Sequence, residues 1–416
     1  MTIAEKIISA HCEKKVRPGD LVLCEVDLCF GQDGTSNLII ERLEELNANK
    51  LKIRKAFLVI DHNSPPPNAD ASNIHKRMRQ FAERFSLRLF DVGEGVCHQV
   101  VLESGEVLPS RLILGADSHT TTHGALNTFS AGIGSTDAAV CFYTGKLWLK
   151  TPPTIRIEFE GSLNEGVEGK DIALYLLKIL GLNRATYKAL EFGGKSLKEL
   201  PQDFRFTISN MSVEAGAKAA IFEYDSITES WIKTELLDFD KYEPIFPDKN
   251  AEYLERIVIN LSEIEPMVSI PHSPANVKRI SELRDVKIDM GFIGTCTNGR
   301  LEDLRRAAKI LKGRKIKKNV RLIVAPASKR VFEKALKEGL IEIFLQAGAV
   351  VFPPGCGVCV GAHGGVPADR ENVISTSNRN FKGRMGNPNS FIYLGSPSTV
   401  AASCIEGKIT DPRNFL

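Results

Sequence analysis

Short apolar runs alternate with amphipathic stretches along most of the chain. Lys55-Ala56-Phe57-Leu58-Val59-Ile60 and Leu112-Ile113-Leu114-Gly115 are continuous runs of strand length, the pattern of strands buried on both faces. From Asn37 to Leu46, the side chains of Ile39, Leu43 and Leu46 share one helical face, and Thr35 or Ser36 offers a capping hydroxyl. Further on, the pattern predicts strand over 288–293, helix over 301–311, strand over 320–324, helix over 329–345 and strand over 349–352. This alternation predicts α/β layers with a mostly parallel sheet. No solenoid-length repeat or low-complexity segment interrupts it.

At 416 residues the chain is too long for one ordinary core, so two or three units are expected. Prolines mark two seams, Lys150-Thr151-Pro152-Pro153-Thr154 and Glu265-Pro266 through Pro271-His272-Ser273-Pro274. The expected units are therefore 1–150, 151–272 and 273–416. The longest apolar runs are far too short to span a bilayer, and Met1 to Lys15 has no signal-peptide core, which argues against a membrane protein. A net charge of +3, unclustered, gives no reason to expect nucleic acid as a partner. Nine cysteines without a secretory signal point to a reducing, cytoplasmic setting with free or metal-bound thiols. Cys12, Cys24, Cys29, Cys141 and Cys404 lie among apolar residues and read as small core fillers.

Polar clusters fall just after the expected strand ends, where open α/β sheets bind ligands. Asp61-His62 follows Ile60. Asp117-Ser118-His119-Thr120 follows Gly115. Thr295-Cys296-Thr297-Asn298 follows Gly294, and Gly355-Cys356 follows Phe352. Cys296 precedes a helix expected to start near Asn298, and a helix N-terminus would lower its pKa. Cys356 and Cys359 form a C-x-x-C in a glycine-rich loop, which can wrap a bulky group and aim N–H groups at sulfur. Three thiolates are one short of a closed metal site, and an open position is where a substrate can bind. Zinc is a rival, with His363 completing a Cys3His set.

Asp61 with His62, and Asp117 with His119, each place a carboxylate near an imidazole. A carboxylate in contact raises the imidazole pKa and keeps it ready to donate a proton. His98 is a further candidate, whereas His11, His75 and His272 read as surface or linker residues. Ser377-Asn378-Arg379-Asn380-Phe381-Lys382-Gly383-Arg384 packs two arginines and two amides into eight residues after the apolar Val373-Ile374. Arginine forks match carboxylates, so carboxylate binding is expected there.

In this order, Asp-His, Asp-Ser-His-Thr, Gly-x-Cys-Thr-Asn-Gly-Arg, Cys-x-x-Cys-x-Gly and Ser-Asn-Arg-Asn-Phe-x-Gly-Arg resemble the aconitase superfamily over nearly the whole chain. Length and motif spelling are most similar to its 3-isopropylmalate dehydratase and homoaconitase large subunits. The resemblance implies three α/β/α domains around a central 4Fe–4S cluster, without the family's swivelling fourth domain. It implies that Cys296, Cys356 and Cys359 hold that cluster, leaving one iron open to the substrate hydroxyl and carboxylate. It assigns proton chemistry to Asp61, His62, His98, Asp117 and His119. Asn210 and Glu214 match positions that contact the iron-bound oxygens, and Glu214 is carried as catalytic. It places Gln32, Ser118, Asn210, Asn378, Arg379 and Arg384 about the substrate. At the position of Gln32 many isopropylmalate enzymes carry histidine.

The chain ends at Leu416, shortly after Ser396-Pro397 and Asp411-Pro412. A separate small subunit is therefore expected to bring the swivelling domain, a catalytic serine, a carboxylate-binding arginine and the specificity loop. The implied reaction is dehydration of a small di- or tricarboxylic hydroxy acid, then rehydration at the neighbouring carbon. Isomerisation of 2- and 3-isopropylmalate in leucine synthesis is the first expectation. Homoaconitase in lysine synthesis and 2,3-dimethylmalate dehydration are the alternatives. A zinc-stabilised binding protein and an RNA-binding form without a cluster are readings of a different class. The absence of a basic patch disfavours the last.

Overall fold

The structure is a computed structural model, and it describes residues 1–236 and 238–416. Near the N-terminus, five parallel strands lie in the order Arg88–Phe90, Lys55–Val59, Leu28–Gln32, Leu112–Gly115, Phe129–Gly132. A second parallel sheet has the order Ala219–Phe222, Ala189–Gly193, Thr154–Glu160, Glu255–Asn260. The third has seven strands, in the order Val277–Arg279, Met267–Ser269, Phe391–Leu394, Asn372–Ser375, Met290–Ile293, Arg321–Val324, Val350–Val351. Its first two pairings are antiparallel and the rest parallel. Leu21–Glu25 and Lys146–Lys150 form a separate antiparallel ribbon. Among the described residues, no helix is long and apolar enough to cross a membrane.

The inner strands Leu28–Gln32, Leu112–Gly115 and Met290–Ile293 are buried at every position, because helices cover both faces of a parallel sheet. One continuous core joins the three sheets, running through Phe30, Ile113, Ile157, Phe192, Phe222, Phe292 and Val373. Each such side chain contributes roughly 1.5–3 kcal/mol when fully buried. Gly124 permits one close approach of the segment Ser118–Leu126 to the second sheet: a Cβ there would stand 1.9 Å from the Ala220 carbonyl oxygen.

Strand order places the ligand site. In the first sheet the chain order reverses between Leu28–Gln32 and Leu112–Gly115. In the third it reverses between Met290–Ile293 and Asn372–Ser375. Crevices at such switch points are where α/β sheets bind ligands. The loops after Leu112–Gly115, Met290–Ile293 and Asn372–Ser375 carry Asp117-Ser118-His119, Cys296 and Asn378-Arg379, and the loop after the neighbouring strand Lys55–Val59 carries Asp61-His62.

Local differences from the sequence expectations have physical causes. The helix expected from Asn37 begins four residues earlier, as Asp33–Glu45, with the Gln32 side chain as its cap rather than Thr35 or Ser36. The helix expected over 329–345 is two helices, Lys329–Lys337 and Leu340–Ala347, parted by Gly339 at φ 73°. Cys296 lies inside a single helical turn, Thr295–Asn298, and the longer helix starts only at Leu301. His75 is buried rather than on the surface, sharing the inner face of Ala69–Phe85 with Ala71, Met78 and Phe81. His11 is half-buried against Asp27, while His272 is exposed. Cys24, Cys29, Cys141 and Cys404 are buried, but Cys12 is only half-buried.

Candidate active site

Asp61 and His62 are fixed by a carboxylate on another element. Asp33 opens its helix and accepts the backbone N–H of Asp61 at 3.1 Å, His62 at 2.8 Å and Asn63 at 2.9 Å. The Asn63 side chain adds a fourth bond at 2.8 Å. Asp61 then sits 2.7 Å from His62 Nδ1 through one oxygen and accepts the Cys97 N–H at 2.7 Å through the other. Burial opposes the charge on His62, but Asp61, then Asp117 and Asp33, outweigh it and hold the imidazole pKa up to about 10.

Asp117 caps the 3-10 segment Ser118–Leu126 by accepting the His119 N–H at 2.9 Å. The same oxygen stands 2.8 Å from His98 Nε2, and the other lies 3.9 Å from His62 Nε2. Burial works against its charge, yet His98 and His119 hold Asp117 well below the usual carboxylate range. His119 Nε2 meets Glu214 at 2.9 Å, and Arg379 Nε meets both Glu214 oxygens at 2.8 and 2.9 Å. Arg379 also donates to Ser118 Oγ at 3.1 Å. Despite burial, His119 and Arg379 keep the Glu214 pKa lowered. One polar network therefore runs from Asp61 to Arg379.

The three cysteines converge on this network. Cys296, Cys356 and Cys359 line a single cleft together with Asp61, His62, His98, Asp117, Ser118, His119, Asn378, Arg379 and Arg384. The turn holding Cys296 is tied by Arg300, which donates to the carbonyls of Cys296 and Thr297, each at 2.7 Å. Thr295, just before it, has φ 75°, a left-handed conformation unusual for a β-branched residue and typical of a constrained site. Gly361 brings the C-x-x-C loop against the loop bearing Arg384. A Cβ there would fall 2.2 Å from the Gly386 nitrogen, and its φ is 70°.

The sulfur atoms are supplied with donors. Asn210 Nδ2 lies 3.2 Å and Asn378 Nδ2 3.6 Å from Cys296 Sγ, and Arg384 Nη2 lies 3.6 Å from Cys359 Sγ. For the thiols alone, burial and then Cys359 push Cys296 up to about 12, and burial with Asp61 pushes Cys356 well above its ordinary value. This reverses the lowering expected for Cys296 from a helix N-terminus. The turn around it is too short to offer a sizeable dipole, and Val96, Ala327 and Cys356 enclose it. Three free, buried cysteines with amide and guanidinium donors aimed at sulfur fit a cationic metal group that would stabilise the thiolates. His363 does not join them among the described residues. It lines a separate apolar cavity behind Cys356.

Two predicted residues stand behind the cleft. Asn210 is fully buried, bonded to Thr122 at 2.8 Å as well as to Cys296, and Glu214 supports His119 and Arg379. Gln32, expected near the substrate, is buried and its side-chain oxygen accepts the Gly34 N–H as a helix cap. Sequence reasoning missed Asp33 and Arg300 as supports, although Asp33 follows Gln32 and Arg300 ends the Gly-x-Cys-Thr-Asn-Gly-Arg motif. It also missed Lys170, for which it had no signal beyond a charge at a helix start.

A family model described as the Aconitase family (aconitate hydratase) matches residues 5–285 and 278–407. The 3-isopropylmalate dehydratase large subunit 1 of Thermotoga maritima is 48% identical over 417 residues, covering 100% of this chain and 99% of the relative. The methanogen homoaconitase large subunit of Methanocaldococcus jannaschii is 46% identical, covering 99% of each chain. The crystal structure of Thermococcus kodakaraensis aconitase X (holo-form) aligns with a TM-score of 0.53 over 88% of each chain, at 12% identity, a likeness of fold alone. With the motifs in order, the fold shared and the relatives matched end to end, the chain belongs to the aconitase family.

Proposed function

We propose that this chain is the large subunit of a hydro-lyase that interconverts 2-isopropylmalate and 3-isopropylmalate by dehydration and rehydration. One observation carries the reading: three cysteines, two arginines and the histidine–carboxylate pairs line one cleft. The large-subunit relatives narrow the substrate. In this reading the chain has three units, 1–150, 151–272 and 273–416, and works in the cytoplasm.

Cys296, Cys356 and Cys359 would hold a 4Fe–4S cluster, which supplies a Lewis-acidic iron with an open position when bound. The other steps fall to side chains of this chain. His62, kept protonated by Asp61, is the donor to the departing hydroxyl. Asp117 orients His98 and His119 around the same space. Arg379 and Arg384 pair with substrate carboxylates, and the developing negative charge beside a carboxylate meets preset cations there. Glu214 and Ser118 fix the Arg379 fork. A small subunit supplies the swivelling domain and the catalytic serine that takes the carbon-bound proton.

Homoaconitate chemistry is the second reading, favoured by the relative from Methanocaldococcus jannaschii at 46% identity. The test is anaerobic loading with iron and sulfide, addition of the small subunit, and parallel assay of 3-isopropylmalate and homoaconitate. Preferential turnover of 3-isopropylmalate supports the first reading. Preference for homoaconitate transfers the assignment to the second. A colourless, zinc-only preparation overturns both.

A further inference from the structure

Lys170 opens the helix Gly169–Leu180 and is completely buried. Lysine is almost never fully buried without a partner, because withdrawing an ammonium from water is costly. Among the described residues its hydrogen-bond partners are not carboxylates. Nζ donates to the carbonyl oxygens of Thr376 at 2.7 Å and Ser377 at 2.8 Å, and lies 3.4 Å from Met211 Sδ.

Those contacts reach three segments of the candidate site. Ser377 immediately precedes Asn378 and Arg379, and Met211 follows Asn210. Thr376 exchanges hydrogen bonds with Gly294, at 3.0 and 3.1 Å, two residues before Cys296. The root of Lys170 is itself fixed. Asp171 accepts the Met267 and Glu168 N–H groups, each at 2.8 Å, and a Cβ on Gly169 would stand 2.6 Å from Phe204 Cα. Burial pushes the lysine pKa down to about 7, while Asp303, Cys296, Cys359 and Asp171 favour its charged form. Negative charge on the sulfur ligands would strengthen that support.

We propose that Lys170 is a positioning residue: its ammonium holds the 376–377 backbone so that Asn378 and Arg379 face the cleft, and its positive charge answers the negative charge of the sulfur ligands when they are ionised. The substrate part of this assignment rests on the proposed function, whereas the backbone part does not.

Hydrogen exchange of the metal-free chain tests the backbone part. In Lys170→Met, amides over 376–380 should exchange about tenfold faster, as expected from losing hydrogen bonds to a charged group, while those of the first sheet are unchanged. In protein loaded anaerobically, Lys170→Met and Lys170→Gln should both lower the cluster midpoint potential. KM for 3-isopropylmalate should rise more than kcat falls. Lys170→Gln keeps an amide donor and should recover part of the protection over 376–380 without recovering the potential. It also carries the exchange test should Lys170→Met fail to fold. Wild-type exchange over 376–380 in a folded variant, or an unaltered potential in both variants, overturns the proposal. Failure of the wild-type chain to take up a cluster would instead count against the proposed function, and the exchange result would still decide the role of Lys170.

Discussion

Arg379 Nε stands 2.8 Å from one Glu214 oxygen and 2.9 Å from the other, so the guanidinium reaches the cleft already aimed. Glu214 is buried and also holds His119, which couples the carboxylate-binding side of the site to its proton-transfer side. Lysine cannot reproduce this fork. Arg379→Lys should lower kcat/KM by about 10²-fold or more, the scale of losing one preset donor, with the cluster absorbance unchanged. Steady-state kinetics beside a visible spectrum checks this. Loss of the spectrum would make Arg379 a structural residue.

His62 and Asp117 give the metal-free protein a defined pH dependence. The His62 pKa is raised in the folded chain from 6.5 to about 10, so its contribution is complete below 6.5 and lost as pH climbs through about 10. Asp117 is depressed below 3.8, so its contribution is present above 3.8 and lost as pH falls through the depressed value. Together these two groups favour the folded state most between pH 3.8 and 6.5. His62→Gln should flatten the alkaline decline seen by urea denaturation, and leave the acid limb in place.

The cysteines separate by role. Cys296→Ala, Cys356→Ala and Cys359→Ala should each abolish stable iron binding, because each removes one of only three thiolates. Cys404→Ala should keep full iron content and lose only stability, since Cys404 is buried away from the cleft beside Gly291. Iron-to-protein ratios after anaerobic loading distinguish the two groups.

Asp33 carries the loop that presents His62. Its carboxylate satisfies four donors on Asp61, His62 and Asn63. Asp33→Ala leaves those donors unpaired in a buried place and should cost about 3 kcal/mol of folding stability. Turnover should fall with it. A urea midpoint equal to that of the wild type would contradict this role.

The chemistry of the site was legible because it follows strand ends. Cys296 comes just after Met290–Ile293, and Asp117 just after Leu112–Gly115, as apolar runs with polar tails predict. His75 was within reach too, since it shares a helical stripe with Ala71, Met78 and Phe81. What escaped depends on contacts distant in sequence. Lys170 reads as an ordinary charge at a helix start until Thr376 and Ser377 close over it. The direction of the Cys296 pKa escaped for the same reason, because enclosure by Val96, Ala327 and Cys356 outweighs any helix end. The capping role of Gln32 escaped as well, because the helix pattern is first visible only at Asn37.

The central claim is that three cysteines hold a cluster whose remaining position is open to a hydroxy acid. Mössbauer spectroscopy of the iron-57-loaded chain, with and without 3-isopropylmalate and the small subunit, tests it most directly. The account predicts four irons per chain, of which one changes its signal when the acid is added. Four irons that stay unchanged, or a chain that takes up zinc and no cluster, would contradict it.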